Sequence, residues 1–193
     1  MVIDISQEVF SCNVFPGDPV PKAERMSSIT DGAVCNLTAF SMCAHNGTHV
    51  DAPYHFLNEG KTIEEMPIDA FVGECYVACH EGDVSAEDAH TILEKAKSCG
   101  CGERILIAGK ATVTAEAAKV FAKEKIKLIG NESQTVGPED GPMEVHKILL
   151  SEEIVLLEGI VLRNVEEGKY FLSAAPLNLA GSDGAPCRAL LIK

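Results

Sequence analysis

Apolar residues recur along the chain with two periods. Short runs that alternate or are wholly apolar predict strands at 2–6, 35–43, 72–80, 104–108 and 126–130, with two more between 170 and 193. Helical spacing appears after Ser85, where Ala89, Ile92, Leu93 and Ala96 follow a Ser-x-x-acid start and Cys99-Gly-Cys-Gly closes the element. A second helix is expected over 115–125 behind Thr114, and a third over 143–150. Residues 15–21 are a Pro/Gly turn, 63–71 a short helix or loop, and 131–142 a loop with its tip at 137–142. The two strand–helix–strand stretches imply some parallel pairing.

Two stretches break these patterns. Residues 43–56, CAHNGTHVDAPYHF, carry His45, His49, Asp51 and His55, which include half of the six histidines in the chain. His49, Asp51, Pro53 and His55 stand two apart and share a face if extended. His45 and His49 are four apart, which would suit a helix, but Gly47, Thr48, Val50 and Pro53 oppose one. We expect a strand end that bends at Gly47 and brings imidazoles and a carboxylate to one point, as a metal site requires. The bland alternative, a polar loop of hydrogen-bonded histidines, would leave many buried polar atoms to satisfy. The other break is Glu158, alone in the apolar run 154–162. A buried carboxylate there needs a partner: an Arg or Lys, or equally His146 with a metal.

The 193 residues are enough for one sizeable core and few for two, and with no repeat or linker a single domain spanning 1–193 is expected. The chain is 46% hydrophobic, with no apolar run of membrane-spanning length and no signal-like start, so a cytoplasmic protein is expected. A net charge of −13 argues against nucleic acid and against a membrane surface as partners. The eight cysteines read as reduced thiols, by default buried small side chains. A zinc knot from Cys75, Cys79, Cys99 and Cys101 has atypical spacing. Asp18 is a site candidate or a turn cap, and 137–142 a lid or a plain surface loop. His90 is expected in solvent.

Residues 45–55, read as H-x-G-T-H-x-D-x-P-x-H, resemble the signature of the metal-dependent cyclase family, which includes bacterial kynurenine formamidases and isatin hydrolases. Asp4-Ile-Ser6, Pro16-Gly-Asp18, His146-Lys-Ile-Leu-Leu150 with Glu158, and Asp183-Gly-Ala-Pro-Cys-Arg188 agree with other family blocks in order. Phe15 replaces a common Trp, Glu132 an Asp, and Ala108-Gly-Lys-Ala111 an R-T-G segment. The resemblance implies an α/β fold of the swivelling β/β/α type, a mixed sheet barrel with flanking helices, in a homo-oligomer (dimer or tetramer). It implies that His45, His49 and Asp51 hold a first metal, that Asp51 bridges to a second held by His146 and Glu158, and that His55 is catalytic. One or two ions per chain are implied; zinc suits the histidines, with manganese the alternative for a ligand set half oxygen. The implied activity is hydrolysis of an amide, formamide or cyclic amide C–N bond in a small-molecule substrate, arylformamidase-like, by metal-activated water. The alternatives are a metal or small-molecule binding protein of the same fold without catalysis, against which His55 argues, and an oligomeric structural protein whose histidines merely hydrogen-bond.

Overall fold

The computed structural model describes residues 1–193. In chain order its strands and helices are β1 (Val2–Asp4), β2 (Lys22–Ser27), β3 (Leu37–Ser41), β4 (His49–Asp51), β5 (Val72–Cys79), β6 (Gly82–Val84), α1 (Ala86–Ser98), β7 (Arg104–Ala108), β8 (Ala111–Val113), α2 (Ala115–Glu124), β9 (Leu128–Asn131), α3 (Met143–Leu150), β10 (Val155–Glu158), β11 (Gly168–Ser173), β12 (Gly184–Pro186) and β13 (Leu190–Ile192). Nine strands form one mixed sheet in the order β1-β13-β11-β5-β7-β9-β10-β4-β12. The middle of it, β5-β7-β9-β10, is parallel, as the strand–helix alternation predicts. The flanks are antiparallel.

Both faces of the sheet are covered, which is why its central strands read as nearly continuous apolar runs. Tyr76, Ala78, Ile105, Ile107, Ile129 and Leu156 pack against the three helices in one cluster of 23 buried residues. Their neighbours Val77, Leu106, Leu128, Val155 and Leu157 point the other way, into a second cluster of 23. The curled sheet closes this second cluster upon itself, with Ile5, Val50, Ala185 and Leu191 from its flanks as the far wall. This half-barrel with flanking helices is the expected fold. Ser85 and Thr114 cap α1 and α2 as the sequence indicates, the first in a capping box with Asp88.

Several local expectations change. The strand expected at 35–43 forms, but outside the main sheet. Its core, β3, pairs only with β2, which lacks an apolar alternation, and together they form a projecting hairpin arm. No residue from 6 to 45 is buried, and Met26, Val34, Leu37 and Phe40 are exposed on the arm. A small parallel pair, β6–β8, was not anticipated either. Residues 63–71 are two 3-10 turns. Of the eight free cysteines only Cys75 and Cys101 are buried, so burial is not the general rule here. His90 is exposed.

Candidate metal centre

The extended part of the histidine stretch is shorter than its spacing suggests. β4 spans only His49–Asp51, which puts His49 and Asp51 on one face, and a 3-10 turn over Pro53–His55 then brings His55 round. Gly47, at φ +64°, makes the bend before the strand. β4 is buried between β10 and β12, with Glu158 directly opposite His49 and Gly184 opposite Asp51. Buried Thr48 clamps the entry by donating its hydroxyl to the Gly159 carbonyl at 2.6 Å. Glu158 thus meets a strand more than 100 positions away, and α3 swings His146 to the same point.

Asp51 is the hub. Its Oδ1 lies 2.8 Å from His45 Nδ1 and 3.5 Å from His49 Nε2. Its Oδ2 lies 3.5 Å from His146 Nε2 and 4.0 Å from His55 Nε2. Glu158 straddles two rings, with Oε2 3.4 Å from His49 Nε2 and Oε1 3.2 Å from His146 Nε2. Two sets of potential ligand atoms each lie within 4.8 Å of one another: His45, Asp51 and His55, and His49, Asp51 and Glu158. His45, His49, Asp51, His55, His146 and Glu158 therefore converge, although Glu158 sits beside His49 as well as beside His146. The cysteines contribute to neither set, so the zinc knot is not formed.

The tautomers are set by the backbone. His49 Nδ1–H donates to the Gly47 carbonyl and His146 Nδ1–H to the Pro142 carbonyl, each at 2.9 Å. In the neutral rings, the form that can hold a metal, both Nε2 atoms are then bare and turned towards carboxylates. Bare nitrogens facing carboxylate oxygens repel unless a cation or a proton lies between. Asp51 Oδ2 is also buried without a hydrogen-bond partner, and a buried orphan of this kind calls for a positive ligand. Three imidazoles and two carboxylates, with His55 beside them, form a donor set that suits a divalent metal ion.

The metal-free electrostatics carry the same strain. Burial draws the His45 pKa down, but Asp51 and Asp183 overcome it and hold it at about 11. For His146 burial is likewise outweighed, by Asp51 and Glu158, and its pKa rises to about 10. Burial pushes Asp51 up, yet the His45 charge and the surrounding imidazoles take it well below the ordinary carboxylate range. Glu158, raised by burial and by Asp51, ends below its usual value because His146, charged in the metal-free chain, faces it. Its Oε1 also accepts the Val136 N–H at 2.7 Å.

Around this centre, Asp18 occupies a turn closed by its own N–H to the Phe15 carbonyl, and its carboxylate faces the Cys43 thiol. The 137–142 loop ends at Pro142, whose carbonyl orients His146. Phe15 and Pro16 line a cleft of about 340 Å³ with Ser133, Gln134 and Thr135. A larger cleft, about 920 Å³, opens beyond β5 and β7 and is lined by Lys110, Glu132 and Arg163 without any of the clustered ligands. Glu132, which replaces the family Asp, accepts the N–H groups of Gly109 and Leu162 and so ties two loops together. Sequence reasoning overlooked Asp183: its Oδ2 accepts from His45 Nε2 at 2.9 Å and from His55 Nδ1 at 3.1 Å. Those hydrogen bonds hold it far below the normal carboxylate range. Its only signal in the sequence was its place at the head of the D-G-A-P-x-R block.

Known proteins resemble this chain in sequence and in fold. The Cyclase family profile matches residues 3–138. The kynurenine formamidase of Erythrobacter litoralis is 33% identical over 202 residues, covering 97% of this chain and 92% of that protein. The kynurenine formamidase of Bacillus anthracis is 34% identical over 205 residues, covering 98% and 96%. A solved structure described as a "potential metal-dependent hydrolase with cyclase activity" superposes with a TM-score of 0.82 at 29% identity, covering 99% of this chain and 96% of that one. Isatin hydrolase A from Labrenzia aggregata, bound to benzyl benzoate, shares the fold with a TM-score of 0.80 at 22% identity, covering 99% and 93%. With this family profile across most of the chain and curated relatives along nearly all of it, the chain belongs to the Cyclase family of metal-dependent hydrolases.

Proposed function

We propose that the protein hydrolyses the C–N bond of a small amide, with aryl formamides as the substrate class, at a centre held by His45, His49, Asp51, His146 and Glu158. The convergence of these side chains around Asp51, whose buried Oδ2 has no hydrogen-bond partner, carries the proposal. Zinc is the first choice and manganese the alternative, with one or two ions per chain; Asp51, which faces imidazoles with both oxygens, is placed to serve two. A bound divalent ion supplies Lewis acidity, lowering the pKa of water and polarising a carbonyl oxygen. His55 is the proton carrier. Its Nε2 faces the Asp51 side of the centre, where it takes a proton from the attacking water and returns it to the leaving nitrogen. Phe56 packs edge-on against His55, with ring centroids 4.5 Å apart, and lies 4.8 Å from the His146 ring. It offers an apolar wall beside the reacting group, which favours an aryl substrate over a purely polar one. The kynurenine formamidase relatives support the same class.

The test is to measure metal content by plasma emission and to assay aryl formamide hydrolysis before and after chelation. Activity lost with the metal and restored by zinc or manganese is expected; undiminished activity in fully stripped protein would overturn the proposal.

We infer further that residues 1–193 act as one domain in a homo-oligomer, a dimer or tetramer. The pairing of β1 with β13 supports the first point. The arm supports the second, because an isolated two-stranded hairpin with exposed Met26, Leu37 and Phe40 has marginal stability alone and gains by being covered. Light scattering on Phe40→Asp should show a smaller particle than wild type, and an unchanged mass would count against the arm. A reducing, cytoplasmic setting suits the eight free thiols.

A further inference from the structure

Asp183 stands outside the set of groups proposed to hold the metal, yet it touches two histidines of the centre with one oxygen. The His45 and His55 rings lie against each other, centroids 4.0 Å apart and tilted by 30°. That stacking brings His45 Nε2 and His55 Nδ1 to the same side, where Asp183 Oδ2 receives both, at 2.9 and 3.1 Å. A carboxylate has no proton to give, so each of these nitrogens carries the hydrogen. In each ring the other nitrogen is thereby turned towards Asp51: His45 Nδ1 to Oδ1 at 2.8 Å and His55 Nε2 to Oδ2 at 4.0 Å.

The backbone holds Asp183 in place for this. Its carbonyl accepts the Ala52 N–H at 2.9 Å, and the neighbouring Ser182 carbonyl accepts that of Ile63. Gly184 follows at the start of β12, directly opposite Asp51. A Cβ on Gly184 would lie 2.7 Å from His45 Cε1, so the His45 ring can rest over this position only because it is glycine. The Asp183–Gly184 pair thus provides a floor for one imidazole and an anchor for two.

We propose that Asp183 is a positioning residue that fixes the tautomer and the angle of His55, and in the same contact orients His45. This rests on the hydrolase function proposed above, with His55 as proton carrier. A carboxylate behind a working imidazole selects which nitrogen is free to accept a proton and steadies the ring when it becomes charged. Without Asp183, His55 can protonate on the nitrogen that faces the centre, and a ring in that state cannot take a proton from water.

The test compares wild type with Asp183→Asn and Asp183→Glu, each checked for folding by circular dichroism. Long-range proton–nitrogen spectra of the histidine side chains, recorded with zinc present, read the tautomer without reference to activity. Wild type should show His55 protonated on Nδ1 and bare on Nε2. Asp183→Asn, whose amide group can donate to the ring, should shift His55 towards the opposite tautomer. On an aryl formamide its kcat should fall about 10–100-fold with KM little changed, and Asp183→Glu should recover part of the loss. A wild-type His55 bare on Nδ1 would overturn the proposal, whether or not the variants fold. So would unaltered tautomer and kcat in folded Asp183→Asn. Wild-type protein inactive on formamides would instead sink the hydrolase function, while the spectra would still judge the role of Asp183.

Discussion

His49 and Glu158 face each other across the β4–β10 pair with Nε2 and Oε2 3.4 Å apart, and in the neutral ring both atoms are acceptors. The Gly47 carbonyl has already taken the other ring hydrogen. A divalent cation relieves this opposition, so binding it should stabilise the folded chain. At a zinc concentration 100 times Kd the gain is about 2.7 kcal/mol, a rise in Tm of roughly 5–10 °C for a domain of this size. Glu158→Gln should remove most of that rise. Calorimetry with and without zinc measures both, and an unchanged wild-type Tm would contradict the site.

The metal-free protein should respond to pH in the opposite sense from the loaded one. His45 and His146 are held up at about 11 and about 10 when folded, against an ordinary imidazole value of 6.5. Between those limits the folded state binds more protons than the unfolded, so their contribution is whole below pH 6.5 and fades as pH rises through 10 to 11. Asp51 and Glu158, held low, contribute above their ordinary range near 4 and lose it in acid. Urea melts of stripped protein should therefore show lower stability at pH 9 than at pH 6. Metal competes with those same protons, so zinc stabilisation should grow from pH 6 to pH 9. Parallel pH trends with and without zinc would refute the assignment.

His55 differs in its surroundings from the groups proposed to hold the ion. It is about a quarter exposed, its Nδ1 is engaged by Asp183, and its Nε2 stands 4.0 Å from Asp51. His55→Ala should retain zinc and fold, while turnover falls by about 10²–10⁴. Metal analysis beside kcat separates these effects: loss of zinc would make His55 a ligand, and full turnover would end its role as proton carrier.

What the sequence made legible was local. His45, His49, Asp51 and His55 announce themselves because they lie within eleven positions, and Glu158 because a charge in an apolar run demands a partner. Their assembly was not legible from spacing, since it depends on β10 lying antiparallel to β4 and on α3 turning His146 inward. Asp183 stayed hidden because one aspartate in a Gly/Ser turn resembles any other turn residue. The place of the arm outside the main sheet was hidden for a related reason. Residues 35–43 alternate well enough to be a strand, but alternation does not tell a strand inside a sheet from one that pairs only with β2.

Arg104 opens β7 and is buried, yet it serves no catalytic group. Its guanidinium donates to the carbonyls of Asp69, Ala70 and Glu74, pinning the turn before β5 to the neighbouring strand. Arg104→Leu strands those carbonyls and should cost about 2–4 kcal/mol, lowering Tm by roughly 5–15 °C. Because the metal centre lies elsewhere, zinc stoichiometry should be unchanged. A variant as stable as wild type would show that water replaces the guanidinium without loss.

Gly159 follows Glu158 at φ +66° and is crowded from three sides. A Cβ there would come within 2.1 Å of Gln134 Nε2 and 2.3 Å of the Gly47 carbonyl oxygen, the same oxygen that fixes the His49 tautomer. The Gly159 carbonyl also receives Thr48 and Gln7, so the strand end cannot shift without moving the clamp on β4. Gly159→Ala combines the strain of a left-handed residue, about 1 kcal/mol or more, with a displacement aimed at His49 and Glu158. It should lower Tm and weaken zinc binding together, whereas Gly17→Ala, also at positive φ but in open space, should cost stability alone. Chelator competition on the two variants decides the matter, and equal zinc affinity in both would mean that the contact at Gly47 does not reach the metal centre.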